Sequence, residues 1–171
     1  MKMPALRGLF AGILALGGFA VARPAAADEM VIKFPGEHPR YVFEAEPHGL
    51  LAPYANFVPG IGFRGTIRIL HNGFIPSINN SIGIGFGADW VDKGVWIPIV
   101  MQWNFWLSRH WSVFGEPGVS IRAGHGLDGK HDDHLGILGL WAGGRYHFND
   151  RISLTMRIGR PTFSVGVSFF L

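Results

Sequence analysis

The chain has 171 residues, with 25 Gly, 14 Phe, 6 Trp, 11 Pro, no Cys and 16% charged residues, where an ordinary globular protein carries about 25%; this is too little charge for an ordinary soluble surface. The formal net charge is +3, but Lys2, Arg7 and Arg23 precede every acidic residue. From Asp28 onward twelve basic residues face twelve acidic ones, which argues against nucleic acid as a partner, because a phosphate-binding face needs clustered excess Lys and Arg.

The first predicted element is an export signal. Lys2 and Arg7 lead into an apolar run from Leu9 to Ala22, followed by Pro24 and the small residues Ala25, Ala26 and Ala27. This is the charged, apolar, small-residue order of a secretory signal peptide, and the run is shorter than the ~20 residues of a spanning helix. Residues 1–27 are expected to be removed before Asp28. An exported chain without Cys has no disulfides, so a core, a ladder or a membrane must stabilise it. Residues 28–39, with Pro35, Gly36 and Pro39 among mixed charges, read as an irregular periplasmic leader.

From residue 40 to 171 the pattern alternates with period 2, as strands require, and eight strands are predicted. The first, about 40–48, sets Tyr41, Phe43 and Ala45 against Val42, Glu44 and Glu46; the second, about 60–70, sets Ile61, Phe63, Ile67 and Ile69 against Arg64, Thr66 and Arg68. In the third, about 80–90, the comb Ile82, Ile84, Phe86 and Ala88 opposes Ser81, Gly83, Gly85, Gly87 and Asp89. The fourth, about 95–107, carries Val95, Ile97, Ile99, Met101, Trp103 and Phe105 against Gln102 and Asn104. The fifth, 111–122, opposes Val113, Val119 and Ile121 to Ser112, Glu116, Ser120 and Arg122. The sixth, about 135–148, alternates less well, because Trp141 shares a face with Arg145 and His147. The seventh sets Ile152, Leu154, Met156 and Ile158 against Ser153, Thr155 and Arg157, and the eighth sets Phe163, Val165, Val167, Phe169 and Leu171 against Ser164, Gly166 and Ser168.

Residues directly opposite in an antiparallel pair point to the same side of the sheet. Polar therefore faces polar between strands four and five when paired positions sum to 218, with Gln102 opposite Glu116, and between six and seven when they sum to 300, with Arg145 opposite Thr155. Both solutions leave a three-residue turn, at 108–110 and 149–151. Longer segments at 49–59 and 123–134 lie at the other end, as short periplasmic turns and longer external loops do in outer-membrane barrels. Pro98 and Pro117 fall inside strands and cannot donate to a ladder, which predicts a bulge or local opening between strands four and five near the outer half.

The polar face is mostly Gly, Ser, Thr and Asn with a few Arg and Glu. A soluble barrel with an apolar cavity would carry dense Lys and Glu on its exterior, so the apolar face is assigned outward, to lipid. Tyr41, Trp90, Trp111, Tyr146 and Phe148 lie near predicted strand ends, where aromatic girdles sit at a bilayer interface. On the segments Trp103–Glu116 and Tyr146–Leu154, and on the final alternation of Phe163, Val165, Val167 and Phe169, the chain resembles the small outer-membrane β-barrel proteins of Gram-negative bacteria. That broad group includes the OmpA transmembrane domain and the OmpX and OmpW types. The resemblance implies a single antiparallel up-and-down transmembrane barrel in the outer membrane, with lipid and lipopolysaccharide around it. It also implies a C-terminal assembly signal read by the barrel insertion machinery; Leu171 stands where a terminal Phe is usual in that group.

The inward charges, Glu44, Glu46, Arg64, Arg68, Glu116, Arg122, Arg145 and Arg157, must be paired in so narrow a barrel, and Glu44 and Glu46 are expected to pair with Arg64 and Arg68 on the neighbouring strand. The reading is a polar plug with a structural role in envelope integrity, no enzymatic activity and no cofactor. The alternatives are a narrow pore for small polar or anionic solutes, a lipid-modifying enzyme, and a soluble carrier. His125, His131 and His134 with nearby Asp residues form a weak metal candidate whose spacing matches no metal motif. His110, near Ser108 and Ser112, reads as an interface anchor, and no Gly-x-Ser-x-Gly elbow occurs. The oligomeric state is left open.

Overall fold

A computed structural model describes residues 29–52, 57–91, 94–124, 137–160 and 162–171; the export signal and His125, His131 and His134 lie outside the described residues. The strands are β1 (Phe43–Ala52), β2 (Val58–Leu70), β3 (Asn80–Val91), β4 (Gly94–Trp106), β5 (Trp111–Gly124), β6 (Ile137–Asn149), β7 (Ile152–Gly159) and β8 (Phe163–Phe170). Each pairs antiparallel with its neighbours in sequence, and β1 pairs with β8 to close the barrel. Period-2 patterning forces this solution. The outward face of the strands is largely apolar and the other face largely polar or small, and closure gives each backbone edge a partner while separating the faces into outside and inside.

Outward residues include Ile61, Phe63, Ile67, Ile84, Phe86, Ile97, Ile99, Val119, Leu138, Leu140, Met156, Ile158, Val165 and Val167, all exposed. Their polar counterparts are buried inside. Strand lengths of 8 to 14 residues bracket the roughly 9–11 that a tilted strand needs to cross a bilayer's hydrocarbon.

The two register solutions hold. The β4–β5 ladder runs from Gly94↔Gly124 to Trp106↔Ser112 at a constant sum of 218, and β6–β7 keeps 300 from Trp141↔Gly159 to His147↔Ser153 before a bulge shifts it at Asn149↔Ile152. Asn149 shapes that turn by accepting the N–H groups of Arg151 and Ile152 on its Oδ1, at 2.8 and 3.0 Å.

The prolines meet the expectation in part: the β4–β5 ladder opens locally around Pro117, but without a bulge. Each proline interrupts one ladder on one side while the register stays constant. The β3–β4 ladder skips the positions opposite Pro98, the β4–β5 ladder skips those around Pro117, and the β1–β8 ladder skips those around Pro47. On the other side Pro98 pairs with Ser120, Pro117 with Leu140 and Pro47 with Phe63. A missing N–H removes one donor, and a donor serves only one neighbour. This is also why β1 runs on to Ala52 rather than ending at His48.

The leader lies across the end of the barrel that carries the 107–110 and 149–152 turns. Val31 donates its N–H to Leu107 O (3.0 Å), and Asn79 N–H donates to Ile32 O (2.7 Å). Val31 packs in a buried cluster with Tyr41, Trp106 and Phe170. At the opposite end Leu50, Ala52 and Val91 form a second buried apolar cluster, with Val58 and Trp96 against it.

Candidate functional site

Between those two apolar clusters, the interior is occupied by polar side chains, and every strand supplies one. Glu116 on β5 is the hub. It accepts from Arg157 Nε (2.9 Å) and Nη2 (3.2 Å) on β7, from Arg64 Nη1 (3.2 Å) on β2 and from Gln102 Nε2 (2.9 Å) on β4. Arg157 also forms a two-pronged pair with Glu46 on β1, at 2.6 and 2.9 Å. Ser168 on β8 donates to Glu44 (2.9 Å) and lies 3.4 Å from Glu46.

Glu44 accepts from Arg145 Nη2 on β6, at 2.7 and 3.0 Å, and Arg145 Nη1 donates to Asn104 Oδ1 (2.6 Å). Asn104 Nδ2 donates to Gln102 Oε1 (3.1 Å), which leads back to Glu116. The hydrogen bonds thus form a closed circuit around the interior. Asp89 on β3 joins it through Arg64 (3.6 Å) and His48 Nε2 (2.9 Å). All these charged groups are buried, where an ion without a partner costs several kcal/mol.

Aromatic rings fill the remaining interior. Phe114 lies under both Arg145 (4.2 Å from guanidinium carbon to ring centroid) and Arg157 (5.1 Å), within cation–π range. Trp141, 1% exposed, lies 5.7 Å from Arg64. Two glycines make this packing possible by close approach. A Cβ at Gly143 would lie 2.2 Å from Phe114 Cζ, and one at Gly62 would lie 2.4 Å from His48 Nε2 and 2.5 Å from Asp89 Oδ1.

No family model matches the chain, and no curated protein matches it. Solved structures do. A de novo designed transmembrane β-barrel superposes with a TM-score of 0.53 at 12% identity, over 82% of this chain and 99% of its own. Neisserial surface protein A (NspA) gives 0.51 at 11% identity, over 75% and 96%. The Yersinia pestis outer membrane protein Ail, in a phospholipid bilayer nanodisc, gives 0.50 at 10% identity, over 77% and 100%. The fold is that of the small outer-membrane β-barrels. At this level of identity the likeness concerns architecture, so activity has to be argued from this chain's own side chains.

Among the expected interior charges, six lie in the circuit: Glu44, Glu46, Arg64, Glu116, Arg145 and Arg157. Their pairing differs from the expectation. Glu46 is in register with Arg64 on the adjacent strand, yet it bonds Arg157 two strands away, and Glu44 bonds Arg145 three strands away. The narrow lumen lets long guanidinium side chains reach across it. Arg68 stands outside the circuit, at the leader end, where its Nη1 donates to Pro39 O (2.8 Å). Arg122 lies near the other end, 5.1 Å from the Trp96 ring.

Of the expected interface aromatics, Trp90, Trp111, Tyr146 and Phe148 are exposed on the outer face, but Tyr41 is 8% exposed and points inward. Its neighbour explains the reversal. Val42 and Phe43 both donate to Leu171 O, at 2.8 and 3.1 Å, which is a bulge. The bulge turns Val42, 71% exposed, outward and Tyr41 inward onto Phe170, 4.7 Å between ring centroids. Phe163, Val165, Val167, Phe169 and Leu171 are all exposed on the outer face.

The network also includes His48 and Phe114, which share the parity of Glu46 and Glu116, and Asp89, Gln102, Asn104 and Ser168, which lie on strand faces read as polar but were not assigned to the charge set. Ser108, His110 and Ser112 do not form one group. Ser108 Oγ accepts the N–H groups of His110 (3.3 Å) and Trp111 (3.1 Å), whereas Ser112 Oγ is 2.8 Å from His147 Nε2 inside the barrel.

His38 fastens the leader at the mouth. Its ring stacks on Trp106 with centroids 5.2 Å apart, and Nδ1 hydrogen-bonds Asn79 Oδ1. Burial lowers its pKa to about 4, with Arg68 and His71 acting in the same direction against the opposing Asn79 bond.

Proposed function

We propose that the protein is an outer-membrane β-barrel with a plugged interior and a structural role in envelope integrity. The observation that carries this reading is the closed circuit of buried hydrogen bonds from Glu116 through Arg157, Glu46, Ser168, Glu44, Arg145, Asn104 and Gln102. A permeating solute would have to break several charge-assisted bonds at once. The apolar clusters at both ends add two further barriers. A narrow anion-preferring pore needs surplus cations, but in this buried set the four carboxylates of Glu44, Glu46, Asp89 and Glu116 outnumber the guanidiniums of Arg64, Arg145 and Arg157.

Membrane residence is supported by the exposed apolar outer face and by Trp90, Trp111, Tyr146 and Phe148 near strand ends. Outer-membrane lipid and lipopolysaccharide are the surroundings this face suits. The outward comb Phe163, Val165, Val167, Phe169 and Leu171 is the segment we assign to recognition by the insertion machinery. Acyl-chain chemistry is disfavoured. The Ser112–His147 pair is buried, His147 Nδ1 has no hydrogen-bond partner to orient it, and Trp106 and Phe170 pack on the imidazole.

Planar-bilayer recording tests the reading. The expected result is a silent membrane; discrete, reproducible conductance steps would overturn the plug. Lipid composition is expected to be the same with and without the protein.

A further inference from the structure

Two irregularities meet at the leader end of the barrel wall. β1 begins with the Val42–Phe43 bulge, and the β2 register shifts between Arg68 and Leu70. The N–H of Arg68 donates to Val42 O at 2.9 Å and ties them together. Between them lies a shallow cavity of about 380 Å³ lined by Arg40, Tyr41, Val42, Arg68, Ile69 and His71.

Its cations lack counter-charges. The interior arginines Arg64, Arg145 and Arg157 each meet a carboxylate, but among the described residues neither Arg40 nor Arg68 forms an ion pair. Arg68 Nη1 donates to Pro39 O and to His71 Nδ1 (3.2 Å), and the guanidinium lies 3.4 Å above the Tyr41 ring. Its Nε and Nη2 are buried without a hydrogen-bond partner. Two guanidinium N–H groups shielded from water without an acceptor are costly, and phosphate is the anion that this planar donor fork matches best. The outer wall of the cavity is apolar, because Val42 and Ile69 are exposed on the outer face of the barrel.

We propose that this cavity binds the headgroup phosphate of a net anionic membrane lipid, with Arg40 and Arg68 on the phosphate and the acyl chains running along Val42 and Ile69. The assignment rests on the membrane reading above. A soluble anion would use the cations and leave the apolar wall bare, whereas a phospholipid satisfies both.

The test is lipid retention by native mass spectrometry, with the protein released from nanodiscs of phosphatidylcholine containing a minor fraction of phosphatidylglycerol. The wild-type protein is expected to retain phosphatidylglycerol several-fold above its mole fraction. Arg40→Gln, at an exposed position outside the strands, lowers that enrichment, and Arg40→Gln with Arg68→Gln abolishes it. Retention at the mole fraction in the wild-type protein, or enrichment unchanged in both variants, overturns the proposal. Displacement of the lipid by millimolar inorganic phosphate overturns the lipid assignment in favour of a soluble-anion site. The unheated and boiled forms on SDS gels report separately on the barrel. A heat shift without enrichment sinks the lipid site alone, and a water-soluble chain with no heat shift sinks the membrane reading as well.

Discussion

Glu116 receives three side chains from three different strands, so Glu116→Gln is the most informative single change in the interior. It leaves Arg64 with only the longer contact to Asp89 and removes one of the two carboxylates on Arg157. Removing one partner of a buried pair costs about 3–5 kcal/mol, measured here as a lower midpoint in urea unfolding from lipid vesicles. Glu29→Gln is the matched control. Its pair with Arg109 lies open to water, and such pairs contribute little, so the midpoint should not move. Gly143→Ala probes packing instead of charge. The added Cβ would meet Phe114 Cζ at 2.2 Å and the Met156 backbone oxygen at 2.5 Å. The ring can shift but the β7 backbone cannot, and overpacking of this kind costs about 1–3 kcal/mol. An Ala variant as stable as the wild-type protein would contradict that contact.

The leader is the element whose behaviour depends on acidity. Asn79 holds it with three bonds, accepting from His38 and donating to Glu37 O (2.8 Å) and Ile32 O. Burial keeps His38 neutral and brings its pKa from 6.5 down to about 4, so the undocked leader binds a proton more readily than the docked one. Docking is therefore fully stabilised above pH 6.5 and weakens as the pH falls towards and through 4. Trypsin cleavage at Lys33 or Arg40, with protease activity normalised at each pH, should rise over that window. His38→Phe keeps an aromatic ring against Trp106 but removes the titrating group, and its cleavage should not vary with pH. A wild-type profile as flat as that of the variant would remove His38 as the cause.

The barrel as a whole was legible in the sequence because period-2 patterning reports face and register together. The sums of 218 and 300 followed from polar residues having to face polar residues, and the same rule put Glu44, Glu46, Arg64, Glu116, Arg145 and Arg157 inside. Partner choice was not legible. Glu46 and Arg64 are neighbours in register, but which guanidinium reaches which carboxylate depends on the width of the lumen, a property of closure that no single strand encodes. Tyr41 was misplaced for a related reason, since the bulge that turns it inward is made by Leu171 at the far end of the chain. A closed ladder has no edge from which to peel, so the protein should stay compact in unheated SDS and migrate differently after boiling. Identical migration before and after boiling would count against closure.

The participation of every strand in the interior circuit bears on how the barrel is completed. A sheet still waiting for its last pairing keeps Glu44 and Glu46 on one edge strand and Ser168 on the other, so bare carboxylates border the gap. Joining β1 to β8 supplies the missing backbone bonds and the missing side-chain bonds in one event. A strand that slipped by one residue would turn its polar member towards lipid and leave its partners unanswered. The interior pairing therefore favours one arrangement of eight strands energetically over the near misses.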